Sequence, residues 1–285
     1  MLIAERIGTM LSDEASVMYR VESGGEMDLS AQDPSDKGLW EDGSKSDYEA
    51  VMQEKLDELK ALQNLLFAEG KHKVLIVVQA MDTGGKDGCA KNVFSSMDPQ
   101  GVHVKSFKAP HEEELAYDFL WRVHKAVPPK GMISVFNRSH YEDIIAVRVK
   151  KLLPEKVWRN RYRHVVDFEK MLSDEGTKIV KIFLNISKDE QRERLQARLD
   201  DPAKLWKFEP GDLADRERWD EFMVAYSELI SKTSYDHAPW HIVPSDRKWY
   251  RNLVVAQIVI NALKDLEMEF PEVKWNPEEM HVEDR

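Results

Sequence analysis

The chain has 285 residues, of which 42% are hydrophobic and 33% are charged, and its formal net charge is −11. This length suits one large domain or two small ones with a sizeable core. No segment approaches the ~20 consecutive apolar residues of a membrane span, and the N-terminus lacks a signal-peptide pattern, so we expect a soluble, cytoplasmic protein with no membrane partner. The single cysteine, Cys89, excludes an internal disulfide and is expected to be a small packed residue.

The negative charge is concentrated at the two ends of the chain. Residues 1–49 have a net charge of −8 and residues 264–285 a net charge of −5, which leaves +2 for the middle. Within that middle, residues 144–164, here called the basic run, hold seven basic residues against Glu155 alone. A solvated helix face is the ordinary interpretation of such a run, and a local surface for a thin polyanion is the alternative. The overall charge argues against a nucleic-acid partner.

The predicted elements begin with an arm over residues 1–46 that is rich in Ser, Gly and Asp and is expected to be extended and partly disordered. Apolar residues then recur at spacings of three and four from Met52 to Leu66, which predicts an amphipathic helix that ends at Gly70. We predict one folded domain over residues 47–270 and an acidic tail over 271–285.

Beyond Gly70, short β-branched segments alternate with helical ones. Strands are predicted at Val74–Val78, Val102–Phe107, Met132–Phe136, Ile179–Ile186 and Trp240–Val243, and helices at 86–97, 112–126, 162–174, 189–199 and 249–267. Strands that are apolar along their length are typical of a parallel sheet covered by helices on both faces. We therefore predict an α/β fold.

A glycine-rich turn follows the first strand and leads directly into a helix. Its sequence, AMDTGGKDG over residues 80–88, is here called the phosphate loop. It departs from the strict P-loop pattern, because Ala80 replaces the first glycine and Asp87 replaces the Ser or Thr that holds magnesium. Gly84, Gly85 and Lys86 still combine inward backbone N–H groups, a helix N-terminus and a full positive charge, which indicates phosphate binding. A plain Gly-rich turn with an exposed lysine is the alternative.

Two carboxylates in this loop need a separate explanation, because they would repel a phosphate unless a cation lay between them. Magnesium prefers a few carboxylates together with phosphate oxygens and water. Asp82 lies inside the loop and is the stronger magnesium candidate, whereas Asp87 also suits a helix-dipole partner.

The strand predicted at Met132–Phe136 delivers polar residues at its carboxyl end, where doubly wound sheets bind ligands. Asn137 stands where a metal-binding carboxylate is expected, so Glu142 and Asp143 become the alternatives for metal or nucleotide contact. Arg138 would stabilise charge on a transferred group, and a surface ion pair between Arg138 and Asp143 is the structural alternative.

Two arginines, Arg194 and Arg198, share one face of the helix predicted at 189–199. The segment that follows, residues 200–213, combines prolines with aromatic and basic residues and suits a mobile lid over phosphates. An ordinary salt-bridged helix and a surface loop are the alternative.

Several long segments closely resemble, in the same order, the polyphosphate kinase 2 family. They are AMDTGGKDG (80–88), DFLWRVHKAVPPKG (118–131), FNRSHYED (136–143), NISKDEQRERLQARLDDPAKLWKF (185–208), GDLADRERWD (211–220) and APWHIVPSDRKWYRN (238–252). The resemblance extends from about Tyr19 to Phe270 and leaves out residues 1–18 and the acidic tail.

This resemblance implies a P-loop kinase-like three-layer α/β/α sandwich with a parallel five-stranded sheet and a helical lid at about 194–220. It implies a reversible transfer of the terminal phosphate of inorganic polyphosphate to AMP or ADP, which gives ADP and ATP. The cofactor would be Mg²⁺, with Mn²⁺ as a substitute. Within the family, the sequence is most similar to the third class, whose members phosphorylate both AMP and ADP.

The resemblance also implies roles for single residues. The predicted catalytic residues are Asp82, Lys86, Asn137, Arg138 and Arg198, of which Asp82 would hold magnesium or accept a proton. The predicted phosphate-binding residues are Gly84, Gly85, Lys86, Asp87, Gly88, Arg194 and Arg198, to which the charge of the basic run adds Arg148, Lys150 and Lys151. The predicted nucleotide contacts are Arg138, Glu142 and Asp143, and the predicted metal ligands are Asp82 and Asp143.

Two other functions stay open at this point. An ATP-dependent nucleoside monophosphate or small-molecule kinase would use the same loop and lid, and a nucleotide-gated binding protein would use the loop as a switch. A phosphohistidine at His140 is not supported by the sequence. We expect a homodimer or homotetramer, because the first long helix and the C-terminal helix both offer apolar faces.

Overall fold

The computed structural model describes residues 15, 17–38, 40 and 45–282, without the side chains of residues 45 and 46. One parallel sheet contains β1 (Lys73–Ala80), β2 (Val102–Ser106), β3 (Ile133–Asn137), β4 (Thr177–Asn185) and β5 (Trp240–Pro244). The strand order is β2-β3-β1-β4-β5, which confirms the predicted five-stranded parallel sheet. Val78 near the end of β1 lies opposite Asn137, so the carboxyl ends of β1 and β3 are side by side.

The helices are α1 (Lys45–Glu69), α2 (Lys86–Val93), α3 (Glu112–Leu115), α4 (Trp121–His124), α5 (Glu142–Val149), α6 (Glu155–Asp174), α7 (Lys188–Leu199), α8 (Gly211–Glu217), α9 (Trp219–Thr233) and α10 (Lys248–Lys264). The single helix predicted at 112–126 is wrong, because α3 and α4 are separate short helices. Helices α5 and α9 are not among the predicted elements, whereas α8 lies within the helical lid predicted at about 194–220. The Ile and Val content of α5 by itself favours a strand, but the segment is helical because it packs as a helix against α6 and α9.

Alternate residues of β1 belong to two different cores. Val74, Ile76 and Val78 pack in a cluster with buried residues of α1, α2 and α10, whereas Leu75 and Val77 pack with buried residues of α5, α6 and α9. Successive side chains of a strand point to opposite faces, so this alternation places helices on both sides of the sheet. The three-layer α/β/α architecture is confirmed.

The described part of the N-terminal arm, residues 17–38, is bound along the β5 side of the domain. The Val21 N–H donates to the Trp240 carbonyl at 2.8 Å, and the Leu29 N–H donates to the Ser227 hydroxyl at 3.1 Å. Val21 and Leu29 are buried. This stretch is therefore packed on the domain through Val21 and Leu29, whereas Val17 and Met18 are exposed. The partial disorder of the arm stays a prediction, and residues 1–14, 16, 39 and 41–44 lie outside the described part of the chain.

The apolar faces of the first long helix and the C-terminal helix pack against each other. Leu59 and Leu66 of α1 share one core cluster with Leu253 and Leu263 of α10. These faces are consequently already covered within one chain, and they lend no support to the predicted homo-oligomer. Along the described residues, no helix is long and apolar enough to span a bilayer.

Candidate active site

The phosphate loop makes a tight turn that depends on glycine at two positions. A Cβ on Gly84 would lie 2.5 Å from the Cβ of Ala80 and 2.8 Å from the Met81 carbonyl oxygen. Gly85 has a φ of 103°, in the left-handed region that disfavours other residues. Thr83 also has a positive φ, 60°. The loop is therefore held in one compact conformation, with Gly85 immediately before the first turn of α2.

Lys86 is buried and bends back over the loop from the first turn of α2. Its Nζ donates to the carbonyl oxygens of Ala80 at 2.8 Å and Met81 at 3.1 Å. Burial, together with the positive charge of Arg138, lowers the pKa of Lys86. An anion bound at the loop would offset both effects, so the position suits a phosphate contact.

Asp82 and Arg138 form an ion pair where the carboxyl ends of β1 and β3 meet. The Arg138 Nη2 lies 2.7 Å from the Asp82 Oδ1. Burial acts to raise the pKa of Asp82, but Lys86 and Arg138 outweigh it and lower the pKa below its ordinary value. Asp82 is accordingly ionised at neutral pH and is available to a cation.

The backbone of Arg138 is held in the left-handed region, with a φ of 60°. Its N–H donates to the Val78 carbonyl at 3.1 Å, and the next residue, Ser139, accepts from the Tyr141 N–H at 3.2 Å. Such backbone strain costs of order 1–3 kcal/mol and persists where the surroundings enforce it. Here the strained residue is the arginine that faces Asp82.

Two further predicted site residues, Asn137 at the end of β3 and Glu142 at the start of α5, lie near the phosphate loop and Arg138. Asn137 Nδ2 donates to Asp87 Oδ1 at 2.6 Å, so the amide and the carboxylate hold each other beside the phosphate loop. Glu142 is partly buried, and burial raises its pKa despite the nearby Arg138. The Gln79 amide, oriented so that both of its ends are satisfied, donates to Glu142 at 3.0 Å.

Asp143, predicted as a metal ligand, is engaged by two arginines. Its Oδ2 lies 3.0 Å from Nη2 of Arg122, and its Oδ1 lies 4.0 Å from Nη1 of Arg161. The surface pair between Arg138 and Asp143 is not formed, since Arg138 pairs with Asp82. Asp143 stays a predicted metal ligand, but these contacts favour a role in positioning Arg122 and Arg161.

The two predicted lid arginines have different partners. Arg194 is largely buried; its Nη1 donates to the Thr83 carbonyl at 3.0 Å, its Nη2 to the Ser245 carbonyl at 2.5 Å, and its Nε to Glu190 at 2.7 Å. Arg194 therefore braces the phosphate loop from α7. Arg198 contacts the far side of the lid, with Nη1 2.9 Å from the Lys207 carbonyl and 3.2 Å from Asp212.

The basic run lies mostly away from the phosphate loop. Arg148 forms a 2.5 Å ion pair with Glu228, and Lys150 pairs with Asp215 at 2.7 Å. Of the three residues of the basic run that were predicted to bind polyphosphate, only Lys150 lines a cavity of the site; Arg148 and Lys151 line neither of the two described below. Their polyphosphate role stays a prediction that the geometry does not favour.

Two cavities meet at Asp82 and Arg138. Cavity 1, of about 1010 Å³, lies between the phosphate loop and the lid. Its basic lining residues are Lys86, Lys108, Arg138, Arg194, Arg198, Lys204, Lys207 and Lys248. Cavity 2, of about 470 Å³, has a largely apolar lining that includes Met81, Val147, Leu152, Leu153, Phe222 and Tyr226. A charged ligand and a ligand with an apolar part would thus approach the same ion pair from two sides.

Sequence reasoning missed several residues of these walls. Lys108 follows β2, Lys204 and Lys207 belong to the lid, and Lys248 begins α10. Tyr226 of α9 lines cavity 2 and lies 3.4 Å from the Ala80 carbonyl. Two sequence signals pointed towards them: the basic composition of the lid segment 200–213, which holds Lys204 and Lys207, and the position of Lys108 just past a predicted strand, at the edge where ligands bind.

No three His, Cys, Asp or Glu side chains in the described residues lie close enough to hold a metal ion by themselves. Magnesium does not need such a set, because it is commonly held by one or two carboxylates together with substrate phosphates and water. The ionised Asp82, placed at the junction of the two cavities, fits that requirement.

Comparison with known proteins identifies the family of this chain. A sequence model of the family described as Polyphosphate kinase 2 matches residues 42–271. The chain is 51% identical over 267 residues to an AMP/ADP-polyphosphate phosphotransferase of Meiothermus ruber, which covers 93% of this chain and 99% of the relative. It is 41% identical over 266 residues to an ADP-polyphosphate phosphotransferase of Rhodopseudomonas palustris, with 89% and 91% covered.

A solved structure shows the same architecture. The crystal structure of Polyphosphate Kinase 2 from Arthrobacter aurescens superimposes with a TM-score of 0.88 at 44% sequence identity, over 93% of this chain and 94% of the other. The similarity therefore extends over most of the chain.

Proposed function

The chain belongs to the polyphosphate kinase 2 family, and on that premise we propose that it transfers the terminal phosphate of inorganic polyphosphate to AMP or ADP. The observation that carries this proposal is the meeting of two unlike cavities at the Asp82–Arg138 pair. One cavity suits a polyanion and the other suits a nucleoside.

Polyphosphate is assigned to cavity 1. The cavity is the larger, and its described lining holds eight basic against six acidic residues, whereas cavity 2 holds three against four. A polyanion without a base or sugar needs charge along its length and no apolar pocket. Lys204 and Lys207 on the lid, with Lys108 on the opposite wall, supply that charge away from the reaction centre.

The nucleotide is assigned to cavity 2. Its apolar lining suits a base and a ribose, which bind through packing with a few polar contacts. Arg138 at its inner end would contact the accepting phosphate, and Glu142 lies next to that position. The reversed assignment, with a nucleotide in cavity 1, would make ATP the donor and describes the rival ATP-dependent kinase.

The chemistry requires positioning and charge neutralisation. The transition state of phosphoryl transfer is loose, and its charge is spread over the transferred group. Lys86 and Arg138 both act electrostatically on Asp82 and would neutralise that charge between the two cavities. The acceptor is a phosphate oxygen that is already ionised, so Asp82 is not needed as a proton acceptor.

Asp82 would instead hold Mg²⁺, which, when bound, would supply positive charge to the phosphate oxygens. Mn²⁺ has the same preference for oxygen ligands and would substitute for it. The homo-oligomeric state and the cytoplasmic location stay predictions from the sequence.

The test of the proposal is an assay of the full chain with Mg²⁺, AMP or ADP, and long-chain polyphosphate. ADP and ATP should form when polyphosphate is the sole donor. A parallel reaction with AMP and ATP in place of polyphosphate measures the rival activity. If products formed only from ATP, the polyphosphate assignment would be wrong.

A second experiment compares two basic surfaces. Replacing Lys204 and Lys207 with Ala should raise the KM for polyphosphate severalfold, because both residues line cavity 1. Replacing Lys151 and Arg159 of the basic run removes the same charge outside both cavities and serves as the matched control. If the control pair raised the KM for polyphosphate more than the lid pair did, polyphosphate would bind along the basic run instead of cavity 1.

A further inference from the structure

Arg251 is a buried cation next to the phosphate loop that the proposed chemistry leaves unused. It lies in the first turns of α10 and is 2% exposed. Its Nε and Nη2 both donate to Oδ1 of Asn252, at 3.1 Å and 2.7 Å. In the described part of the chain, Nη1 has no hydrogen-bond acceptor and no carboxylate lies within 4.0 Å of the guanidinium.

The unpaired end of this guanidinium lies against the phosphate loop. A Cβ on Gly85 would lie only 2.0 Å from Nη1 of Arg251, and a Cβ on Gly88 would lie 3.4 Å from Nη2. Arg251 lines neither cavity, so it approaches Gly85 from the side of α10. Glycine at position 85 thus has a second cause besides its positive φ, which is the room that the guanidinium needs.

Other positive charge is directed at the same place. A Cβ on Gly85 would also lie 3.4 Å from Nη1 of Arg194, so two guanidinium groups flank this residue. Arg194 is balanced by Glu190, whereas no carboxylate of the described residues pairs with Arg251. The N-terminus of α2 and the Lys86 ammonium add to the positive field. Burial, reinforced by Arg194, lowers the pKa of Arg251, although arginine keeps its charge in proteins.

A buried charge without a partner opposes folding, and a residue of similar size without charge would avoid that cost. We infer that Arg251 is a positioning residue whose counter-charge is a phosphate of the ligand, bound on the other side of the phosphate loop. The unliganded protein keeps an unbalanced positive charge under Gly85, and a bound polyanion balances it. This inference rests on the proposed function for the identity of the ligand as polyphosphate.

The alternative role for Arg251 is purely structural, as a packing element between α10 and α2 beside Cys89. The two roles predict opposite effects of removing its charge. A structural arginine stabilises the free protein, so its loss lowers the melting temperature. A cation kept for a ligand destabilises the free protein, so its loss leaves the melting temperature unchanged or higher.

The decisive variant is Asn252→Asp, which keeps the shape of the side chain that already accepts from Arg251. It would place a carboxylate 2.7 Å from Nη2 and balance the guanidinium internally. The free protein should melt at a higher temperature, while its thermal shift on adding inorganic tripolyphosphate, in EDTA at constant ionic strength, should decrease. Arg251→Met should act in the same direction, and Arg251→Lys should keep most of the shift.

Steady-state assays give the second readout. Asn252→Asp and Arg251→Met should each raise the KM for polyphosphate ~10-fold, an effect of about 1.4 kcal/mol, with the KM for ADP nearly unchanged. Lower melting temperatures in both variants with an unchanged tripolyphosphate shift would overturn the inference. So would a failure of Arg251→Met and Arg251→Gln to fold.

The experiment separates this inference from the proposed function. If the wild-type protein binds tripolyphosphate and the two variants bind it more weakly, Arg251 serves anion binding even if no phosphate is transferred to AMP or ADP. If the wild-type protein transfers phosphate from polyphosphate and the variants match it in both readouts, the function stands and the inference is wrong.

Discussion

Lys181 and Arg251 are two buried cations with opposite surroundings. Lys181 on β4 is fully buried, and its Nζ contacts Glu169 at 2.6 Å, the Tyr141 hydroxyl at 2.9 Å and the Thr233 carbonyl at 2.5 Å. Arg251 has one neutral partner and no carboxylate among the described residues. The fully paired charge of Lys181 stabilises the fold, whereas the charge of Arg251 is the one for which we infer a bound ligand.

The Lys181 network nevertheless reaches the active site. Glu169 also accepts from the Tyr141 hydroxyl at 2.7 Å and lies 3.2 Å from the His140 Nε2. His140 and Tyr141 stand between Arg138 and Glu142 in the chain, so the network anchors the loop that carries the strained arginine. Lys181 in the core therefore helps to fix the position of the loop that carries Arg138, whereas the cations of the site determine which ligand binds there.

The sharpest way to test this contrast is to remove a cation from the site. Lys86→Met should lower phosphate transfer ~10³-fold, because charge stabilisation between the cavities is lost. The melting temperature should change little, because Lys86 hydrogen-bonds only to two carbonyl groups. Lys91→Met, an exposed position on the same helix, is the matched control and should keep full activity.

Removing the core cation should give the reverse pattern. Lys181→Met leaves Glu169 buried and uncompensated and should lower the free energy of unfolding by about 3–5 kcal/mol. The double variant Lys181→Met, Glu169→Leu should recover a large part of that loss, as measured by urea denaturation. Equal destabilisation in the single and double variants would contradict the view that an unbalanced charge is the cause.

Salt should affect the two substrates unequally. Exposed charges are screened within about 8 Å at physiological ionic strength. Cavity 1 has many basic residues, so raising the salt concentration should increase the KM for polyphosphate severalfold and that for ADP much less. Parallel changes in both constants would argue against separate sites for the two ligands.

The smallest expected effect concerns the two carboxylates beside Arg138. The raised pKa of Glu142 means that the folded protein holds this proton more tightly, so its contribution to stability falls as pH rises from the ordinary glutamate pKa. The lowered pKa of Asp82 has the opposite sign, and its contribution is lost as pH falls. Glu142→Gln should thus gain stability relative to wild type at neutral pH and match it in acid, whereas Asp82→Asn should lose stability at neutral pH.

Local patterns were sufficient for much of the fold and part of the site. The apolar runs predict all five strands, and the loop from Ala80 to Gly88 is recognisable as a phosphate site from its glycines, lysine and flanking elements. Asp82, Lys86 and Arg138, predicted as one centre, are brought together by the structure. Residues at the carboxyl ends of adjacent parallel strands become neighbours, so the sequence alone predicts that these three side chains lie close together.

Contacts between distant segments decided the rest. Basic residues of the run 144–164 pair with carboxylates of different elements: Arg148 and Arg159 face Glu228 of α9, which is absent from the predicted elements, whereas Lys150 faces Asp215 of α8. Arg251 lies against Gly85, far away in the sequence, because α10 packs beside α2. The composition of a segment gives the amount of charge that it carries, but only packing determines which of those charges are paired. The inference of a ligand for Arg251 depends on that pairing, so it could not be made from the sequence.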